Sequence, residues 1–220
     1  METTGLAPIS IGMIVRIPEV LILGGTMSLA SIWIATFLFS GQQTPKEEPG
    51  AWLDKSATVN LSLASVPAVK NEGTNPRCDA ALRTAQTPAD HLVVKQGWRL
   101  STSTQGKHVN GGVIEIIQGL LSYDGMCRPR QYQAYVFLDG RLLGALSPRL
   151  MNSREDGALT RVSISASGNI LATFSRYSRT DALCCPSRES HAVYALVQGN
   201  GGLALKLIRV DTMPRPKPTP

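Results

Sequence analysis

The chain has 220 residues, is 43% hydrophobic and carries a formal net charge of +6, enough for one ordinary domain with appendages. Arginine carries the basic excess, with Arg128, Arg130, Arg141, Arg149, Arg154, Arg161, Arg176, Arg179 and Arg188 in one stretch. Aromatics are only 5% and no nucleic-acid-binding motif is present, so a nucleic-acid partner is excluded in favour of an anionic surface, such as lipid headgroups or an acidic wall polymer.

Residues 1–19 form an N-terminal tail. Val20 to Phe39 contains no charged side chain, and twenty helical residues span about 30 Å, the thickness of a hydrocarbon core. This run predicts a transmembrane anchor. It exceeds the usual length of a signal-peptide apolar region, and it ends in Leu38, Phe39 and Ser40 without a small-x-small cleavage site. No cysteine directly follows the run to accept a lipid. Arg16 on one side and Lys46 and Lys55 on the other leave the positive-inside rule nearly silent. Gly24, Gly25 and Ser28 form a small-residue patch of a kind common in membrane helices.

Residues 41–75, rich in Pro, Ser, Thr, Asn, Lys and Glu, read as a linker. A short helix is expected from Asp79 to Thr84, ended by Pro88. The domain, 76–211, is expected to be mainly β, with a small α+β fold as the variant: an antiparallel meander or barrel-like domain of about seven strands.

Val113 to Leu121 predicts one strand. Asp139-Gly140 predicts a two-residue type I′ hairpin, pairing Leu138 with Arg141 and Phe137 with Leu142. Apolar residues on both faces make this hairpin central and covered on both sides. A three-residue loop, 167–169, would pair Ala166 with Ile170, Ile164 with Ala172 and Val162 with Phe174, gathering the apolar set on one face. Asn200-Gly201 predicts a hairpin with Leu196 opposite Leu205 and Tyr194 opposite Leu207. Residues 212–220 read as an extended, unpacked, proline-rich tail.

The four cysteines, Cys78, Cys127, Cys184 and Cys185, all follow the apolar run. An even count behind a membrane segment points to disulfides, which orients the domain outside the cytoplasm. A bond between the neighbours Cys184 and Cys185 would close a strained local ring. The pair is therefore expected to sit in a strand, facing opposite ways and reaching out to Cys127 and Cys78 in an order left open. The competing reading is a redox or metal-handling site at Cys184-Cys185, although no C-x-x-C spacing supports zinc.

No G-x-S-x-G, H-E-x-x-H or Walker-type loop is present. Asp181, Ser187 and His191 make only a nominal triad, interrupted by Pro186. No enzyme activity, cofactor, metal site or small-molecule substrate is expected. Candidate binding residues are Arg176, Arg179, Asp181 and Arg188, around the Cys-Cys-Pro segment.

Tyr123, Asp124, Cys127, the Phe137-x-x-Gly140-x-x-x-Gly144 hairpin and Asp181-x-x-Cys184-Cys185-Pro186-Ser187 resemble the LppP/LprE-type lipoprotein family of bacterial envelopes. The resemblance spans about residues 76–210 and departs from the family in lacking a lipobox cysteine. It implies a β-rich fold and an envelope location, and carries no established activity. The expected protein is a single-pass bacterial membrane protein with its C-terminal domain on the periplasmic or lumenal side. It would bind a membrane or envelope protein, or an anionic envelope component.

Overall fold

Alternating burial along the strands builds two antiparallel sheets. The computed structural model describes residues 51–55, 58–70, 73, 75–102, 105–109, 111–199 and 201–215. The anchor at 20–39, the tail at 1–19 and Asn200 lie outside them. The first sheet runs β1-β11-β10-β9-β8, from β1 (Val59–Asn60), β8 (Ala158–Ile164), β9 (Ile170–Arg176), β10 (Arg188–Gly199) and β11 (Gly202–Pro214). The second runs β2-β3-β5-β6-β7, from β2 (Leu82–Arg83), β3 (Arg99–Ser101), β5 (Gly112–Tyr123), β6 (Pro129–Leu138) and β7 (Arg141–Ala145), with β4 (Gln105–Val109) also on β5.

Neither sheet closes, so the barrel-like expectation gives way to stacked sheets. The reason lies in β5 and β6, which are apolar on both faces. Ile114, Ile116, Tyr132, Ala134 and Val136 join Ile170, Phe174, Tyr194 and Leu207 of the first sheet in one core. Ile117, Leu121, Tyr135 and Phe137 face the other way, onto Val66, Ala89, Val93 and Trp98. The second sheet is thus the middle layer, with helix α1 (Pro88–Lys95) on its outer face.

The expected helix at Asp79–Thr84 is replaced by a 3-10 turn, Pro76–Ala81, followed by β2. Pro88 opens a helix rather than ending one. Its missing N–H is no loss at the first helical position, and Thr87 and Asp90 complete a capping box.

The linker reading of 41–75 fails over the described part. Trp52 and Leu53 are buried in a 3-10 turn, Ala51–Asp54, and Leu61 and Val66 are buried further on. Residues 61–63 sew the sheets together: Leu61 N–H donates to Leu205 O (2.9 Å), Ala145 N–H donates to Leu61 O (3.1 Å), and Leu63 N–H donates to Leu143 O (3.2 Å). Gly144 makes this possible, because a Cβ there would lie 2.2 Å from Leu61 O.

The Asp139-Gly140 hairpin has the expected register, with positive φ at both turn residues, 49° and 74°. β6 is internal and buried on both faces, while β7 ends the strand order, its outer edge taken by residues 61–63. The β10–β11 register is also as expected, Tyr194 opposite Leu207 and Leu196 opposite Leu205. The β8–β9 register differs. Ile164 faces Ile170 and Val162 faces Ala172, closed by Ser165 N–H donating to Asn169 O and Asn169 N–H donating to Ser165 Oγ. This loop is two residues longer than expected, and a two-residue shift keeps the apolar set on one face. The proline-rich tail starts later than 212, because Thr212, Met213 and Pro214 pair with Ser190, Glu189 and Arg188.

Candidate functional site

Arg176 ends β9 and Arg188 begins β10, and the two are direct cross-strand partners. Like charges so placed repel, so the pair needs compensation. Arg176, 3% exposed, receives it from Asp54 (Nη2 to Oδ2, 3.0 Å) and donates to Ser190 Oγ (3.1 Å). A cleft of about 700 Å³ opens here, lined by Arg154, Arg176, Arg179 and Arg188 against Asp54 and Glu155. Four guanidinium groups face two carboxylates, one of them already engaged by Arg176. Arg154 Nη1 and Arg188 Nε are buried and have no hydrogen-bond partner among the described residues. Planar guanidinium donors suit carboxylate and phosphate oxygens.

The connecting loop, 177–187, is held from both ends. Tyr177 meets two guanidinium groups, with Arg154 Cζ 4.4 Å and Arg128 Cζ 5.4 Å from its ring centroid. Arg128 also donates to Tyr177 Oη (2.7 Å) and to Leu183 O, and pairs with Asp124. Asp181 does not line the cleft; it folds the loop. Its carboxylate accepts from Ser178 Oγ (2.6 Å), Ser178 N–H (2.7 Å) and Ser187 N–H (2.9 Å), and its carbonyl accepts from Arg154 Nη2 (2.9 Å). The Ser178 bonds, chiefly, hold the Asp181 carboxyl well below the usual carboxylate range. His191 instead lies 3.4 Å from Thr173 Oγ1 and 3.7 Å from Glu189, so Asp181, Ser187 and His191 do not assemble as a triad.

Three of the four candidate binding residues therefore share one cleft, with Asp181 in a supporting place. Sequence reasoning missed Asp54 and the role of Arg154, which come from turns remote from the Cys-Cys-Pro segment. The other arginines of the stretch disperse. Arg149 pairs with Asp156 (3.0 Å), and Arg130, Arg141 and Arg161 are exposed elsewhere.

The cysteine pairing corrects the expectation. Cys78 bonds to Cys127, and Cys184 bonds to its neighbour Cys185. The latter two lie in a turn, not a strand, closed by Cys185 N–H donating to Ala182 O (3.0 Å). The bonds at Asp181 keep this turn at the surface, with both cysteines exposed and away from buried Cys78. Among the described residues, no three His, Cys, Asp or Glu side chains gather as a metal site.

Residues 117–198 match the model of the LppP/LprE lipoprotein family. The matched segment runs from β5 through most of β10 and includes Arg154, Arg176, Arg179, Arg188, Cys127 and the Cys184–Cys185 turn. It is shorter than the 76–210 span expected from the sequence, and leaves out Cys78. No curated protein and no solved structure matches the chain. Similarity to a lipoprotein family supports envelope association. Among the described residues no helix is long and apolar enough to cross a membrane.

Proposed function

We propose that this chain is a non-enzymatic envelope protein, anchored by one transmembrane helix over 20–39. Its β domain, on the periplasmic or lumenal side, binds an anionic envelope component in the arginine cleft. The observation that carries this reading is the convergence of four arginines on one cleft, two of which, Arg154 and Arg188, each carry a buried N–H with no hydrogen-bond partner among the described residues. A buried donor left unmade is costly, and a phosphate or carboxylate oxygen meets that need. The uncharged run at 20–39 and the lipoprotein-family similarity support the location.

The test uses the detergent-solubilised full chain with two soluble probes. Poly(glycerol phosphate) stands for a wall polymer, and glycerophosphoglycerol for a lipid headgroup. Binding should weaken as salt rises. It should fall at least roughly tenfold in the double variant Arg179→Gln/Arg188→Gln, since each charge-assisted bond contributes about 1.5–3 kcal/mol. These two residues are chosen because Arg176 also anchors Asp54. Unchanged affinity for both probes would remove the cleft from the function. Pull-down of a protein partner that survives the double substitution would do the same.

A second reading is favoured by the Cys184–Cys185 bond: a redox role at the exposed turn. Thiol counting on natively purified protein should find none. Under limited dithiol, the first two thiols to appear should come from exposed Cys184 and Cys185 rather than buried Cys78. Four free thiols at the outset would contradict both disulfides.

A further inference from the structure

The strap of residues 60–69 borders, with β6 and the chain after β7, a half-open cavity of about 320 Å³ on the opposite face of β6 from the central core. Its walls are mostly apolar, with Leu61, Pro67, Val69, Trp98 and Pro148 among them. Tyr135 also lines it; the residue is 0% exposed, yet its hydroxyl is buried without a hydrogen-bond partner. Three neighbouring side chains already use their donors. Trp98 Nε1 donates to Pro67 O (2.8 Å), and Gln133 and Ser147 bond to each other (2.6 Å). Burial pushes the Tyr135 phenol up, which keeps its proton in place for donation.

The cavity is built rather than incidental. Val69 N–H donates to Gln96 O (2.8 Å). Gly97, at φ +92°, lets the strap close in, because a Cβ there would lie 2.3 Å from Val69 O. Trp98 stands edge-on to Tyr135 with centroids 5.4 Å apart, fixing the phenol. Largely apolar walls with a few placed polar groups are the composition of a small-molecule site, and the volume lies within the usual range. Arg149 at the rim is held by Asp156, so a neutral oxygen suits the site better than a carboxylate.

We infer that this cavity binds a small, mostly apolar molecule whose single carbonyl or ether oxygen accepts the Tyr135 hydroxyl. The probes are octan-2-one and octane, titrated into the full chain at fixed detergent concentration, with the Trp98 indole N–H followed by NMR. Octan-2-one should shift that resonance, and the Tyr135→Phe variant should bind it about three- to tenfold more weakly. Octane should bind both forms equally. Tyr135→Phe alone should melt at or above the wild-type temperature, because it removes an unsatisfied group. The inference is overturned if neither probe moves Trp98, or if both forms bind octan-2-one equally. A clear drop in the melting temperature of Tyr135→Phe would overturn it too, by showing that the hydroxyl is satisfied by buried water in the empty protein.

Discussion

Replacing Cys78 and Cys127 together by serine should destabilise the β domain by about 4 kcal/mol. The bond closes a sequence separation of 49 residues, and tethering a loop of that length restricts the unfolded chain by about that amount. The segment enclosed contains α1 and β2 to β5, so most of the middle layer is tethered by it. The bond also holds a costly conformation. Cys127 has φ 59°, a left-handed geometry that a side chain adopts only under constraint. Asp124 supplies the rest of the constraint, its carbonyl accepting from Cys127 N–H (3.0 Å) and its carboxylate from Met126 N–H (2.9 Å) and Arg128 N–H (3.0 Å). For a domain of this size the loss corresponds to a melting temperature lower by roughly 8–16 °C. Urea unfolding of the full chain should show a lower midpoint and a steeper slope, because the untethered unfolded state exposes more surface. An unchanged midpoint would mean that the bond contributes nothing to stability.

Asp90→Ala should cost about 3 kcal/mol. Asp90 is 1% exposed and accepts from four donors: Arg83 Nη1 (2.6 Å), Arg83 Nη2 (2.5 Å), Gln86 N–H (2.9 Å) and Thr87 N–H (3.1 Å). Removing it breaks a largely buried ion pair, a loss of about 3–5 kcal/mol, and undoes the capping box of α1. Burial works to raise the Asp90 pKa, but the Arg83 pair and the two amides outweigh it, and the carboxyl titrates below its ordinary value. The sign follows. A carboxyl whose folded pKa is depressed contributes stability that is full above its unfolded pKa and is lost as pH falls through the folded one. Wild-type stability should therefore decline on acidification below about pH 4, and Asp90→Asn should flatten that decline. Denaturant midpoints measured across pH for both proteins check it. Parallel curves would rule out this carboxyl as a source of the acid sensitivity.

Hairpin turns were legible because their chemistry is local. Asp139-Gly140 sets a register by backbone twist alone, and Leu196 and Tyr194 find their partners through the same logic. The β8–β9 pairing was legible as to face but not register. Ser165 and Asn169 close a longer loop, and a two-residue shift costs no apolar contact. The strap was illegible. Leu61 and Val66 are buried without a helical or strand period to announce them, and the close approach of residues 61, 62 and 69 depends on Gly144 and Gly97, remote in the chain. Pro88 misled because proline both ends helices and begins them, and Thr87-x-x-Asp90 decides between the two. At the cleft, Arg176, Arg179 and Arg188 stood out beside the Cys-Cys-Pro segment. Asp54 did not, since it reaches Arg176 across 122 residues. The cysteine pairing was not deducible, because the bonds of Asp181 that hold Cys184 and Cys185 at the surface exist only in the folded loop.

The central claim is that the arginine cleft receives an anion, and the side-chain N–H resonances of its arginines test it most directly. Poly(glycerol phosphate) is titrated into the isotopically labelled full chain, and every arginine Nε–H and Nη–H is followed. The account predicts that the Arg188 and Arg154 signals shift first and slow their exchange with water, while exposed Arg141 and Arg161 move little. Shifts spread evenly over the exposed arginines, with Arg154 and Arg188 unmoved, would contradict it and leave only a diffuse basic surface.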